Sequence, residues 1–174
     1  MKKYMILFVV GKDRPGIVDD VSTMLFERGA NIEDSRMATL GGCFSIMVLI
    51  SCPEEKAVEV RRGLEVLSGL GFDAYLHEAA DPVSVPRQVE IPMSLEIRAM
   101  DHPGIVQKVV RLLRRRNVNI ESLDTHVTSA PWSGAPLFNL RLSAGVPAGQ
   151  SIMKIKEELT ALAAEMNLDL SFGR

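Results

Sequence analysis

The chain has 174 residues, 47% of them hydrophobic and 24% charged, a composition far from that of disordered segments and sufficient for one ordinary domain or two small ones. Its formal net charge of −2 supplies no overall field towards nucleic acid or anionic lipid, and no apolar run approaches the ~20 residues of a membrane-spanning helix. Only Cys43 and Cys52 occur, without metal-type spacing, which suits a reducing cytoplasm.

In chain order, Met1 to Val10 has the apolar character of a short signal peptide, but Gly11-Lys12-Asp13-Arg14 stands where a small-residue cleavage site is needed. It reads as a first strand. Ile17, Val18, Val21 and Leu25 fall at helical spacing after Pro15, a residue suited to a first helical turn. Gly29 then tolerates the positive φ that ends a helix. A strand with weak alternation starts near Asn31, and Phe44, Ile46 and Val48 mark a clearer third strand. A second helix is expected from Pro53, with Glu54 and Glu55 in its first turn, and a last strand near Phe72 to His77.

The same order then returns. Asp13-Arg14-Pro15-Gly16-Ile17-Val18 recurs as Asp101-His102-Pro103-Gly104-Ile105-Val106, a shift of 88, and Asn31-Ile32-Glu33 recurs as Asn119-Ile120-Glu121 in the same register. Around Ala130-Pro131-Trp132-Ser133-Gly134 an insertion of six residues moves the shift to 94, after which Phe44 maps to Phe138 and Pro53 to Pro147. Met93, Leu95 and Ile97 alternate with polar residues as the repeated first strand, a helix is expected from Ala148, and Leu168 to Phe172 closes the second unit. The pattern is βαββαβ twice, an α+β protein of two ferredoxin-like domains, each a four-stranded antiparallel sheet with two helices on one face. The expected boundaries are 1–80 for the first domain, 81–90 for an extended, proline-containing linker, and 91–174 for the second.

Chemistry concentrates at the turn from first strand to first helix, Asp13-Arg14-Pro15-Gly16 and Asp101-His102-Pro103-Gly104. Free amides at a helix start suit a carboxylate, glycine allows close approach, the aspartate pairs with an ammonium, and Asn31 or Asn119 carries both donor and acceptor. Together they fit the zwitterion of a free amino acid. The same residue types are also ordinary helix-start and post-helix residues. Both readings stand on the residues alone.

Asp-x-Pro-Gly-Ile-Val, a helix, Gly-x-Asn-Ile and a strand resemble the ACT domain, a βαββαβ ligand-binding module of amino-acid-regulated proteins. More narrowly, Asn31-Ile32-Glu33-Asp34-Ser35-Arg36 with Leu40-Gly41 and Phe44 resembles the first half of the glycine cleavage system transcriptional repressor family. The resemblance implies an amino-acid sensor, with glycine as ligand, that contacts a DNA-binding activator and does not itself read DNA. A regulatory subunit of an amino-acid or one-carbon metabolic enzyme is the first alternative, and a catalytic protein the second. Carried over by residue, the ligand positions are Asp13, Arg14, Pro15, Gly16 and Ile17 with Asn31 and Ile32, and Asp101, His102, Pro103, Gly104 and Ile105 with Asn119 and Ile120. Arg14 stands where the second loop has His102, which leaves two readings: the sites differ in ligand, or one of them is empty.

An enzyme would need a nucleophile with its base, a carboxylate pair or a metal cluster, and none is written locally. His77 and His126 read as surface or edge-strand residues, and no cofactor or metal is expected. Arg111, Arg114, Arg115 and Arg116 read as a solvated helix face, without the aromatic platform or helix-turn-helix of a nucleic-acid binder.

One asymmetry concerns partners. In the second unit Met93, Leu95, Ile97, Phe138, Leu140 and Leu142 point inward, and polar residues alternate with them. Transferred by the two shifts, that parity turns Ile6, Phe8, Val10, Ser45, Met47 and Leu49 outward in the first unit. Such an apolar face calls for a cover, most simply a second copy in a homodimer, with the other repeat or the partner regulator as alternatives. A bulge that slips the register by one residue would instead turn the face polar.

Overall fold

The computed structural model describes residues 1–85, 89–130 and 133–173. Pro86, Arg87 and Gln88 of the expected linker, and Pro131 and Trp132 of the expected insertion, lie outside the described residues. The chain falls into two units, Met1–Pro86 and Arg87–Arg174.

The first unit runs β1 (Lys2–Lys12), α1 (Ile17–Glu27), β2 (Asn31–Leu40), β3 (Cys43–Pro53), a 3-10 turn (Glu54–Lys56), α2 (Ala57–Gly69) and β4 (Asp73–Ala79). The second runs β5 (Glu90–Met100), α3 (Ile105–Arg115), β6 (Asn119–Ser129), β7 (Pro136–Pro147), α4 (Ile152–Glu165) and β8 (Asp169–Phe172). Each forms a four-stranded sheet, ordered β2-β3-β1-β4 and β6-β7-β5-β8, with every neighbouring pair antiparallel. This is the expected α+β, ferredoxin-like arrangement, found twice.

Each sheet buries one face under its two helices. Met5, Leu7, Val9, Val48 and Ile50 meet Val21, Leu25, Val60 and Leu67 in the first core. In the second, Leu95, Ile97, Leu140 and Leu142 meet Val109, Leu113, Ile155 and Leu159. Full burial of such a side chain stabilises by about 1.5–3 kcal/mol, so the alternation that aims these residues inward also fixes strand register. Among the described residues no helix is long and apolar enough to cross a membrane.

Several element boundaries differ from the sequence reading. α1 begins at Ile17, after Pro15, because Gly16 takes a left-handed conformation at φ 89° and ends the turn there. The stretch after Pro53 first makes the 3-10 turn, and α2 follows from Ala57. α4 begins at Ile152 and not at Ala148. Gln150 N–H bonds Pro147 O in a turn (2.8 Å), and Ser151 Oγ, a better cap than alanine, accepts from Lys154 N–H at 3.4 Å. Asp81 to Val85 are not extended: Asp81 Oδ1 accepts from Val83 N–H (2.9 Å) and Asp81 O from Ser84 N–H (2.9 Å). Asp-Pro is a turn-starting pair, and here that preference wins. Gly29 (φ 70°) and Asn117 (φ 51°) take positive φ after α1 and α3, as expected.

Candidate functional site

The turn between β1 and α1 is held at both ends. Asp13 N–H donates to Gly42 O (3.0 Å), tying it to the β2–β3 hairpin, and Asp20 N–H donates to Gly16 O (2.9 Å), the first bond of the helix. Ile17, 2% exposed, anchors the helix start in the core. The left-handed Gly16 supplies no side-chain cap, so the amides before Asp20 have no intrahelical acceptor. The second unit repeats this: Asp101 N–H donates to Pro136 O (3.0 Å), Lys108 N–H donates to Gly104 O (3.0 Å), Gly104 has φ 100°, and Ile105 is buried. The glycines are required by this backbone geometry itself, before any ligand is considered.

Asp13, Arg14, Gly16, Ile17, Val18 and Asp19 line one wall of an open depression of about 460 Å³, facing Met37, Ala38 and Thr39 of β2 and Phe44 of β3. The sequence reading missed Met37, Ala38 and Thr39. Counting back from the Gly41-Gly42 turn would have found them, because the antiparallel hairpin places the C-terminal end of β2, not its start, beside the loop. Pro15 and its counterpart Pro103 are exposed.

Asn31 and Ile32 are elsewhere in their unit. Lys12 pairs with Cys43 while Asn31 pairs with Ser51, and eight residues of strand at ~3.3 Å each separate the two ends by about 26 Å. The second unit has the same layout, with Met100 opposite Leu137 and Asn119 opposite Gly145. Asn31 Nδ2 donates to Glu33 Oε1 (3.3 Å); Ile32 is 43% exposed; Asn119 is exposed and Ile120 packs on the second core. A single unit does not bring these residues to its Asp-x-Pro-Gly loop.

The two loops differ in charge. Arg14 Nη2 donates to Asp20 Oδ2 (2.6 Å) and Nη1 to Pro15 O (3.2 Å), while the guanidinium lies 5.1 Å from the Phe72 ring centre. In the second unit His102 Nδ1 lies 3.2 Å from Pro103 O, and Lys108 stands in place of Asp20 and pairs with Glu165 (3.5 Å). The first turn of α1 carries Asp19 and Asp20; that of α3 carries no acidic residue. An anion is therefore better accommodated at α3.

Glu33 forms a second polar centre, at a bulge in β2 between Ile32 and Asp34. Its Oε1 accepts from Ser51 Oγ (2.5 Å), from Lys2 Nζ (2.9 Å) and from Asn31. The Ser51 hydroxyl above all, then Lys2 and Asn31, hold its carboxyl down to about 2, and the same contact raises the Lys2 ammonium. A carboxyl depressed in the folded state contributes stability above its unfolded value and loses it as pH falls towards the folded one. Acid unfolding of the first unit is thus expected to steepen between about pH 4.5 and 2. Glu33→Gln should flatten that limb in unfolding followed from pH 7 to 2; an unchanged limb would remove Glu33 from the account. The repeat does not preserve this centre, because Gly145 replaces Ser51 and Glu90 replaces Lys2.

His77 and His126 are exposed on the edge strands β4 and β6. On α3, Arg111, Arg114 and Arg115 are exposed, while Arg116 Nε donates to Glu158 Oε2 (2.9 Å) and holds the Glu158 carboxyl below its usual range. Among the described residues no group of three or more His, Cys, Asp or Glu is placed to hold a metal.

Comparison with known proteins supplies the family. Two sequence models, each describing an ACT domain, match the chain, one over residues 3–71 and the other over residues 93–159. The chain is 25% identical to the glycine cleavage system transcriptional repressor of Escherichia coli, covering 94% of this chain and 86% of the relative. It is 26% identical to phosphoserine phosphatase SerB2 of Mycobacterium tuberculosis over 98% of this chain but only 40% of that enzyme. A solved structure of an unknown protein from Galdieria sulphuraria is 30% identical and superposes with a TM-score of 0.86, covering 99% of this chain and 98% of the other. With two such domains in tandem and the βαββαβ fold in each, the chain belongs to the ACT-domain family.

Proposed function

We propose that the protein is a cytoplasmic, non-enzymatic amino-acid sensor that binds glycine or another small amino acid and signals to a transcription regulator by direct protein contact. The observation that carries this reading is the duplicated loop. In both units a left-handed glycine starts a helix so that its first amides lack intrahelical acceptors, beside an exposed aspartate. The amides receive the ligand carboxylate and Asp13 or Asp101 its ammonium. Arg14 and Pro15, His102 and Pro103, and the buried Ile17 and Ile105 shape the two loops. Asn31 with Ile32, and Asn119 with Ile120, stand at the other end of the sheet from their own unit's loop and do not touch a ligand held there by that unit alone. The similarity to a protein named as a repressor of the glycine cleavage system supports both glycine and transcription as the setting.

The second unit is the stronger site in this proposal, since α3 brings no acidic side chain to its own N-terminus. Calorimetry against a panel of free amino acids is expected to show a small amino acid binding, with glycine first. Asp101→Asn should weaken it by about tenfold or more, the scale of a charge-assisted hydrogen bond of ~1.5–3 kcal/mol, and Asp13→Asn should do so less. A silent panel would overturn the sensor reading.

A second reading rests on the phosphatase relative, which matches nearly all of this chain over 40% of its own length. In that case the tandem unit regulates a metabolic enzyme. An amino-acid-dependent change in the turnover of a partner enzyme, with no contact to a transcription regulator, would favour it.

A further inference from the structure

We propose that the outer face of the first sheet is a dimer interface, occupied by the same face of a second copy of the chain. The bulge that would have turned this face polar lies on the edge strand β2, between Ile32 and Asp34, and leaves β1 and β3 in unbroken register. Ile6, Phe8, Val10, Met47 and Leu49 consequently share the face opposite the core. Val10 and Met47 are each 42% exposed, and Ile6, Phe8 and Leu49 are half-buried. Phe8 stacks on Tyr75, itself 57% exposed, with ring centres 4.6 Å apart.

The corresponding face of the second unit carries Ser94, Glu96, Arg98, Asn139, Arg141 and Ser143. Its charges satisfy one another, Glu96 pairing with Arg141 (3.0 Å) and Arg98 (3.8 Å). Only the first sheet leaves an apolar centre to be covered.

The charges around that centre select the occupant. Two adjacent rows cross the sheet: Asp34, Leu49, Ile6, His77 and Arg36, Met47, Phe8, Tyr75. Asp34 and Arg36 border a small depression of about 80 Å³ walled by Ile6, Met47 and Leu49. A two-fold axis perpendicular to the strands and passing between the rows lays each row on the other row of the second copy. Leu49 then meets Met47, Ile6 meets Phe8, and Asp34 meets Arg36 in both directions. Face-packed sheets lie ~10 Å apart, within reach of an arginine. Asp34 and Arg36 now pair with each other at 2.6 Å on the exposed edge, a contact of little worth in water that exchanges readily for one across a drier interface. The face is self-complementary in shape class and in charge, as a closed two-fold dimer requires.

Sedimentation velocity of the full chain over a concentration series, without added amino acid, tests this apart from the ligand proposal. The wild type is expected to dimerise, and Phe8→Lys and Met47→Lys to sediment as monomers with unchanged far-UV circular dichroism. Asp34→Arg and Arg36→Asp should each raise the dimer dissociation constant about tenfold or more, the scale of close charge pairs at interfaces, and the double variant should recover most of that loss. Because Asp34 and Arg36 are 61% and 72% exposed, these two report on the interface even where a lysine in the apolar centre disturbs folding. A monomeric wild type, a dimer indifferent to the face substitutions, or a double reversal no better than the singles would each overturn the proposal.

Discussion

Leu7→Ala is expected to lower the stability of the first unit by about 2–5 kcal/mol, the range for emptying a buried leucine site. Leu7 is fully buried at the middle of β1, between Val48 of β3 and Leu76 of β4. The magnitude matters because whole domains are stable by only about 5–15 kcal/mol, and small ones have proportionally less buried surface to draw on. One cavity therefore removes a large share of what holds this sheet to its helices. The two cores have no residue in common, so the second unit should keep its own transition. Urea unfolding with hydrogen exchange read separately for the two units checks both parts. Equal loss of protection in β1 and β5 would mean that the units unfold as one.

The repeat made much of this architecture legible. Recurrence of Asp-x-Pro-Gly-Ile-Val located the helix starts of α1 and α3, and the parity of Met93, Leu95 and Ile97, carried over by the shift, correctly turned Met5, Leu7 and Val9 inward. The weak alternation after Asn31 has a simple cause: all ten residues of β2 are exposed on an edge strand, and its bulge breaks the period at Glu33. The starts of α2 and α4 were less legible, since Pro53 ends β3 ahead of a 3-10 turn and Ala148 lies in a turn that precedes the Ser151 cap. The joining of Asn31 to the Asp13 loop was least legible of all. Both recur in the repeat, but recurrence says nothing about distance, and strand antiparallelism sends them to opposite ends of the sheet.

Gly104→Val should lower stability by about 1–3 kcal/mol as well as weaken amino-acid binding, because a β-branched residue at positive φ is strained wherever it has room. Room is not the difficulty: a Cβ at Gly104 would meet nothing within 4 Å, and one at Gly16 only the Arg14 guanidinium at 3.8 Å. The cost is torsional, so Gly16→Val and Gly104→Val cannot separate a lost ligand contact from a distorted loop. Asparagine separates them. It tolerates positive φ better than other side chains, as Asn117 and Asn167 do in this chain, while still placing atoms over the first amides of α3. Gly104→Asn should therefore unfold closer to the wild type than Gly104→Val in urea, yet bind the amino acid more weakly in calorimetry. If Gly104→Asn and Gly16→Asn both bind as the wild type does, the loops owe their glycines to the helix start alone, and the carboxylate is held somewhere else.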